Sequence, residues 1–343
     1  MTGDPSDAMH VTLTRRSALG LALGTVALAG CAFPQQGGGR SPASPKTSAG
    51  ATTHHPHSGP PRPSSPTPTT QPPTPTVPPL ELPLGGRELF PHYRLAGWCG
   101  APSARTLGEL GLGNLDDKAG EMVRDVGSYA DGRTVLPVME LIAVVVQGSP
   151  GDSGLWRSRQ PDSVVGRWLQ VARDHKALLL LNIQPGRATF LDEVKAFGKY
   201  LREPDVGVAL DPEWAMSPGQ VPGRAYGHTD GKTIDGVARY LASIVKAKHL
   251  PEKALVYHQV ARTVVRTPAA IGRHDGVQII RSVDGIGSRA EKTSTWKWIG
   301  QQHNPAVRPG FKLFFGEDRK HGPMMTPSQV LALTPRPDYV MYE

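Results

Sequence analysis

The chain has 343 residues, with 38 Lys and Arg against 30 Asp and Glu and a formal net charge of +8. Residues 1–80 hold five of the basic and two of the acidic side chains, which leaves a mild 33 against 28 over the remainder. With no Lys/Arg cluster interleaved with aromatics, this argues against a nucleic-acid partner and leaves only a weak preference for an anionic envelope polymer.

The opening residues read as a targeting segment rather than as part of a fold. A polar start leads to Thr14-Arg15-Arg16-Ser17, then to an apolar run from Ala18 to Ala29, then to Leu28-Ala29-Gly30-Cys31. The run has the length of a signal core, whereas a helix needs about 20 apolar residues to span a bilayer. Thr14-Arg15-Arg16-Ser17-Ala18-Leu19 resembles the twin-arginine export signal, departing from it at Ala18, where an aromatic or Leu is commoner. Leu28-Ala29-Gly30-Cys31 is similar to the lipobox of bacterial lipoproteins. These resemblances imply export signalled by Arg15 and Arg16, lipidation of Cys31 and cleavage before it. The expected partner is then the membrane, through the lipid anchor on its extracytoplasmic face, and two or more acyl chains hold where one does not. The only other cysteine is Cys99. With Cys31 lipidated no intrachain disulfide forms, so the domain must be stable through its core alone. Cys99 reads as a small buried hydrophobe.

Residues 32–83 form a linker. From Ser41 to Pro79 there are 13 prolines and 14 Ser or Thr, with almost nothing large and apolar, so the stretch cannot offset its own chain entropy. Pro-rich chain is extended and semi-rigid, which suits a stalk. Its Thr-Pro repeats suit O-glycosylation. His54-His55-Pro56-His57 reads as polar linker more readily than as a metal tract.

Residues 84–343 alternate strand-length apolar runs with helical patterns. Strands are expected at Arg94–Trp98, Val135–Ile142, Ala177–Ile183, Val206–Leu210, Lys253–His258, Val277–Val283, Phe311–Phe315 and Tyr339–Tyr342. Helices are expected at Asn114–Tyr129, Asp162–Asp174, Phe190–Arg202, Thr233–Lys248, Thr267–Gly272, Ser288–Gln302 and Thr326–Leu333, the fifth short and poorly marked. Eight strands in strict alternation with helices predict an α/β fold, a (β/α)8 TIM-like barrel. An open doubly wound sheet is the alternative. Against it, Gly97-Trp98-Cys99-Gly100 places bulky residues where a phosphate-binding turn needs bare backbone.

Barrels of this kind place their chemistry at the C-terminal strand ends. Polar residues collect there: Glu140 in strand two, Asn182 and Gln184 after strand three, Asp211 and Glu213 after strand four, His258 and Gln259 at strand five. Asp284 ends strand six, Glu317 and Asp318 follow strand seven, and Tyr342 and Glu343 end strand eight. Strand four is the most informative. Period-two alternation puts Gly207, Ala209, Asp211 and Glu213 on one face, so both carboxyls are expected in the barrel mouth, although Asp211 also suits a turn cap and Glu213 a solvated surface. The following loop, Trp214 to Lys232, is long and carries Trp214, Tyr226 and His228; the loop Gln147 to Pro161 carries Trp156. Loops of this length are often functional. Their aromatics suit stacking on sugar rings, or the packing of their own loops. Lys312, on the inward face of strand seven, needs a carboxylate such as Asp211, Asp284 or Asp318 unless its ammonium reaches water. His258 suits a base, a substrate donor or a satisfied core histidine.

The arrangement resembles the retaining glycosidases built on (β/α)8 barrels. That resemblance implies an acid/base carboxylate at the end of strand four, matched by Glu213, and a nucleophile at the end of strand seven, matched by Glu317 or Asp318. The clan has Asn directly before its strand-four Glu, where this chain has Pro212. The whole chain is also similar to exported lipoproteins carrying a barrel domain, a likeness that brings no catalytic residues with it. Three functions are in play. The first is a polysaccharide-acting glycosidase-like hydrolase, with Asp284 as a further partner for Glu213 and two carboxyls about 5–5.5 Å apart for retention or about 6.5–9.5 Å for inversion. The second is a non-catalytic carbohydrate- or cell-wall-binding lipoprotein. The third is a metal-dependent hydrolase on Asp211, Glu213, His258 and Asp284, disfavoured by the lack of an H-E-x-x-H or His-x-His pattern. No cofactor motif is present.

Overall fold

A computed structural model describes residues 78–343. The export signal at Arg15 and Arg16, the lipidation site Cys31 and most of the 32–83 linker lie outside the described residues.

Eight parallel strands close into a barrel: β1 (Tyr93–Gly100), β2 (Thr134–Val146), β3 (Leu178–Ile183), β4 (Val206–Leu210), β5 (Lys253–Gln259), β6 (Val277–Val283), β7 (Val307–Leu313) and β8 (Tyr339–Tyr342). They follow one another round the ring in chain order. Closure is made by β1, which pairs with β2 from Tyr93↔Thr134 to Gly100↔Leu141 and with β8 from Leu95↔Tyr339 to Trp98↔Tyr342. The expected (β/α)8 TIM-like barrel is therefore the observed architecture.

Six α-helices cover the barrel: α1 (Leu115–Val126), α2 (Asp162–Asp174), α3 (Phe190–Ala196), α4 (Gly231–Lys248), α5 (Arg289–Gly300) and α6 (Pro327–Leu331). Their starts are written in the sequence. Asn114 caps α1 by accepting from the Asp116 and Asp117 amides, and Asp230 caps α4 through the Thr233 amide. Ser288 with Glu291 and Thr326 with Gln329 form capping boxes on α5 and α6. The expected helix Thr267–Gly272 does not form. Two 3-10 turns, Arg262–Val264 and Pro268–Ala270, stand between β5 and β6, and Thr267 is left-handed at φ 47. So short a segment, opened by Pro268, yields too few hydrogen bonds to cover the cost of a helical nucleus.

Strand β7 begins at Val307, earlier than the expected Phe311, because Pro309 and Gly310 interrupt its apolar run without ending its pairing to β6. Strand β2 runs on to Val146, and its last three residues pair antiparallel with the short strand Arg157–Arg159.

Alternation sorts the strand side chains. Val208, Leu210, Leu179 and Leu181 pack outward under the helices, while Ala209, Val138, Leu180, Val256 and Ile280 fill the barrel. The interior is crowded enough to demand glycine. A Cβ on Gly97 would lie 1.7 Å from the Val138 carbonyl oxygen. Leu82, Leu89, Phe90 and Tyr93 join the interior core, so the chain enters the barrel at the N-terminal strand ends and seals that floor. Leu82, read as linker, is already buried there. The floor is also pinned from outside: Arg87 donates to the carbonyls of His249 and Leu250, and Glu252 accepts from the Leu89 amide.

Candidate active site at the barrel rim

Each inward stripe changes character near its C-terminal end. Strand β2 runs Leu136, Val138, Glu140; β3 runs Leu178, Leu180, Asn182; β5 runs Ala254, Val256, His258. Asp211, Ser282, Asp284, Lys312 and Glu343 reach the same level from β4, β6, β7 and the end of β8. The result is a buried polar layer resting on an apolar one.

His258 is its hub. Nδ1 lies 2.7 Å from Asp284 Oδ2 and Nε2 3.1 Å from Glu140 Oε1, with the side chain fully buried. Both ring nitrogens face carboxylates, so both must carry protons. A neutral ring would point a lone pair at one of them. Burial works against that cation, but the charges of Asp284 and Glu140 and the Asp284 hydrogen bond hold its pKa well above the ordinary histidine range.

Glu140 accepts further hydrogen bonds from Asn182 Nδ2 at 2.8 Å and from the Tyr339 hydroxyl at 2.7 Å. Asp284 accepts from Ser282 Oγ at 2.8 Å and lies 3.4 Å from Lys312 Nζ. Burial pushes both carboxyls up, but His258 and Lys312 outweigh it and hold both below the usual range. Lys312 finds its main partner in Glu343, at 2.5 Å, with Asp284 second. Desolvation opposes its charge, yet these carboxylates keep its pKa well above normal.

The last two carboxyls behave in the opposite way. Asp211 accepts from Asn182 Nδ2 at 3.0 Å and Gln184 Nε2 at 3.1 Å, and burial, helped by the charge of Glu140, still raises its pKa. Glu213 sits in the 3-10 turn Pro212–Trp214 just past β4. Burial first, then the charges of Asp211 and Asp284, push its pKa well above the carboxylate range. Its Oε2 is buried with no hydrogen-bond partner. It also lies further out than the hub, 8 % exposed where Glu140 and His258 are 0 %. The cations His258 and Lys312 are held closest by Glu140, Asp284 and Glu343; His258 Nε2 reaches Asp211 Oδ1 only at 3.9 Å, and no ion pair reaches Glu213. Retaining a proton is how such a pair remains buried.

Of the other expected site residues, Gln184 belongs to the cluster, also accepting from the Val146 amide at 3.1 Å. Tyr226 lies close enough to Glu213 that burial and that carboxylate push its hydroxyl up to about 12. Trp214 is half-buried in the loop over the rim, which folds back through Gly227 N to Glu213 O at 2.6 Å.

Four residues are not brought to the centre. Asp318 is spent structurally: it pairs with buried Lys292 at 2.9 Å and accepts from the Gly287 and Phe314 amides. Glu317 stays nearer the surface, 3.8 Å from Lys320. Tyr342 faces the helices, its hydroxyl 2.6 Å from that of Tyr129, and Gln259 faces outward to Gln302. Both lie one residue out of phase with the inward stripe, which takes Tyr339, Met341 and Glu343 from the β8 end and His258 from β5. Tyr339 is the site residue the sequence reading passed over, with Glu343 noted only as a strand end, and the two-residue period is the signal that finds both.

Among the described residues no three His, Cys, Asp or Glu side chains converge as a metal site. His258 has no lone pair to offer while both its nitrogens hold protons. A shallow surface recess lies elsewhere, on α5, lined by Arg289, Thr293 and Lys297. No family model matches the chain, and no curated protein shows significant similarity to it.

Proposed function

We propose that this barrel is a hydrolase acting on a polysaccharide by a two-carboxylate mechanism. Glu213 is the proton donor and Asp284 its ionised partner. The observation that carries the reading is the contrast between two carboxyls of one layer: Glu213 is buried with Oε2 lacking a hydrogen-bond partner and its pKa pushed up by burial, while Asp284 is paired with His258 and Lys312, which hold its pKa down. Pairs of carboxyls driven apart in this way mark acid and base roles. In the reaction Glu213 protonates the glycosidic oxygen as its bond to the anomeric carbon breaks. In retention Asp284 attacks that carbon, and water deprotonated by Glu213 then displaces the sugar from Asp284, restoring both groups; in inversion Asp284 takes a proton from the attacking water, and proton exchange with solvent returns Glu213 to its acid and Asp284 to its ionised form. The surplus of carboxylates over cations favours the positive charge that builds on the sugar ring. Asp211 is the lesser partner, because burial and Glu140 raise its own pKa.

A specific observation favours a second reading, a non-catalytic carbohydrate-binding barrel. The network Glu140–His258–Asp284–Lys312–Glu343 is internally satisfied, as a structural polar layer would be. One experiment separates the two. Wild type and Glu213→Gln are incubated with a panel of wall and environmental polysaccharides, and released reducing ends and binding are both measured. The expected result is turnover by wild type, lost by about 10²–10⁴-fold in Glu213→Gln with binding retained. Binding without turnover by wild type supports the second reading instead.

We further propose that the protein is an exported lipoprotein held on the membrane by acylated Cys31, with the barrel on the extracytoplasmic face. Arg15-Arg16 and the Leu28–Cys31 sequence support this. Among the described residues no helix is long and apolar enough to cross a membrane. Cys31→Ser is expected to abolish palmitate labelling and move the protein from the membrane pellet to the soluble fraction. Retention in the pellet would refute the anchor.

A further inference from the structure

The rim between β2 and β4 carries three arginines but a single buried glutamate to receive them. Glu193 accepts from Arg157 Nε at 2.8 Å and from Arg159 Nε at 2.7 Å, so it is already shared by two cations. Arg187 is the third. Its guanidinium lies over the Trp156 ring, 4.8 Å from the centroid, and Nη2 donates to the Gln220 carbonyl at 2.9 Å. Among the described residues no carboxylate forms an ion pair with it. Its Nε is buried without an acceptor, and so is Trp156 Nε1 in the same stacked pair. Buried donors without partners are rare in folded proteins and call for an explanation.

The platform is built rigidly. Trp156 holds a left-handed backbone at φ 57, strain that its surroundings must maintain. Gly186 has φ 59, and a Cβ there would lie 2.4 Å from the Leu155 carbonyl oxygen, so the two loops touch through backbone. The Arg187 amide donates to that same carbonyl at 2.8 Å. The platform also adjoins the reaction centre. Gly186 bridges to Ala215, and Met216 N donates to Gly186 O at 2.7 Å, which ties Arg187 to the loop that begins at Glu213. Arg187 as a whole is partly exposed while its Nε is shielded from water, so an incoming ligand would meet the terminal nitrogens rather than Nε. A planar cation with shielded donors favours an oxyanion, which it meets through two parallel hydrogen bonds.

We propose that Arg187, stacked on Trp156, is a subsite for an oxyanion substituent, carboxylate or phosphate, on the glycan that reaches Glu213. This rests on the polysaccharide reading above. The test uses the full chain carrying Glu213→Gln, so that no substrate is consumed, titrated with polygalacturonate, a phosphodiester-linked wall polymer and neutral dextran. At least one charged polymer is expected to bind tenfold or more tightly than dextran, and which one does so identifies the oxyanion. Adding Arg187→Gln is expected to erase that preference while leaving dextran binding unchanged, and Arg187→Lys to restore part of it. If Arg187→Gln fails to fold, Arg187→Lys alone decides, with a partial loss confined to the charged polymer. Equal binding of charged and neutral polymers, no binding of either charged polymer, or a preference that survives both substitutions overturns the subsite. Its failure is distinct from that of the hydrolase reading. An Arg187-dependent preference without wild-type turnover sinks only the hydrolase, and cleavage of neutral and charged polymers alike sinks only the subsite.

Discussion

Replacing His258 with Gln is expected to lower the unfolding free energy by about 3–5 kcal/mol, the cost of removing one partner from a buried ionic contact. The amide leaves Asp284 and Glu140 facing each other's charge with only Lys312 to answer them. At roughly 2–4 °C per kcal/mol for a domain of this size, the melting temperature should fall by about 6–20 °C. Two features separate this from generic core damage. First, the loss should shrink when measured in a Glu140→Gln background, because one of the stranded carboxylates is then already neutral. Second, it should depend on pH with a definite sign. The folded His258 pKa is raised, so its contribution is complete below the unfolded value of 6.5 and fades as pH climbs through the folded one. Those of Glu140 and Asp284 are lowered, so their contribution is present above their unfolded values of 4.5 and 3.8 and is lost as pH falls through the folded ones. The gap between wild type and His258→Gln is therefore widest between about pH 5 and 6.5 and narrows on both sides. A gap under about 1 kcal/mol, or one flat in pH, would contradict an imidazolium at the hub.

That hub shows what a linear reading reaches and where it stops. The barrel was legible because its strands announce themselves twice, by apolar runs such as Leu178–Leu181 and by the polar residue that ends each inward stripe. The face of β4 was legible for the same reason, and Ala209 and Asp211 do point inward. Boundaries failed where local chemistry and pairing disagree. Pro309 and Gly310 look like a break in β7, yet β6 supplies partners on either side of them. The choice of Tyr342 over Tyr339 is a phase error, which a strand only four residues long gives little means to correct. The fate of Asp318 lay further out of reach. Nothing near it in sequence reveals that Lys292, on a helix preceding β7, will be buried beside it and need its charge. Sequence places acids at a rim; only the closed ring decides which of them are free for chemistry and which are consumed by a neighbour.

Glu213 and His258 belong to one layer, yet their removal should move stability in opposite directions. The Glu213 carboxyl holds a proton in the folded chain that the unfolded chain releases above the ordinary value of 4.5. Protons bound only in the folded state make stability fall as pH rises, through the window from that ordinary value up to the raised one. Glutamine fills the same volume and has no charge to suppress. Glu213→Gln is thus expected to raise the unfolding free energy at pH 7–8 by about 1–2 kcal/mol, the size common for a single stabilising substitution. The gain should vanish below about pH 4, where glutamate is protonated in both states. Turnover in the same variant should collapse. A group that costs stability and supplies the reaction is what a proton donor at a buried rim must be. Chemical unfolding of the two proteins at pH 4 and pH 8 decides the matter. A Glu213→Gln protein that is less stable than wild type at pH 8 would mean that the carboxyl is held by contacts of its own, and the poised acid would have to be abandoned.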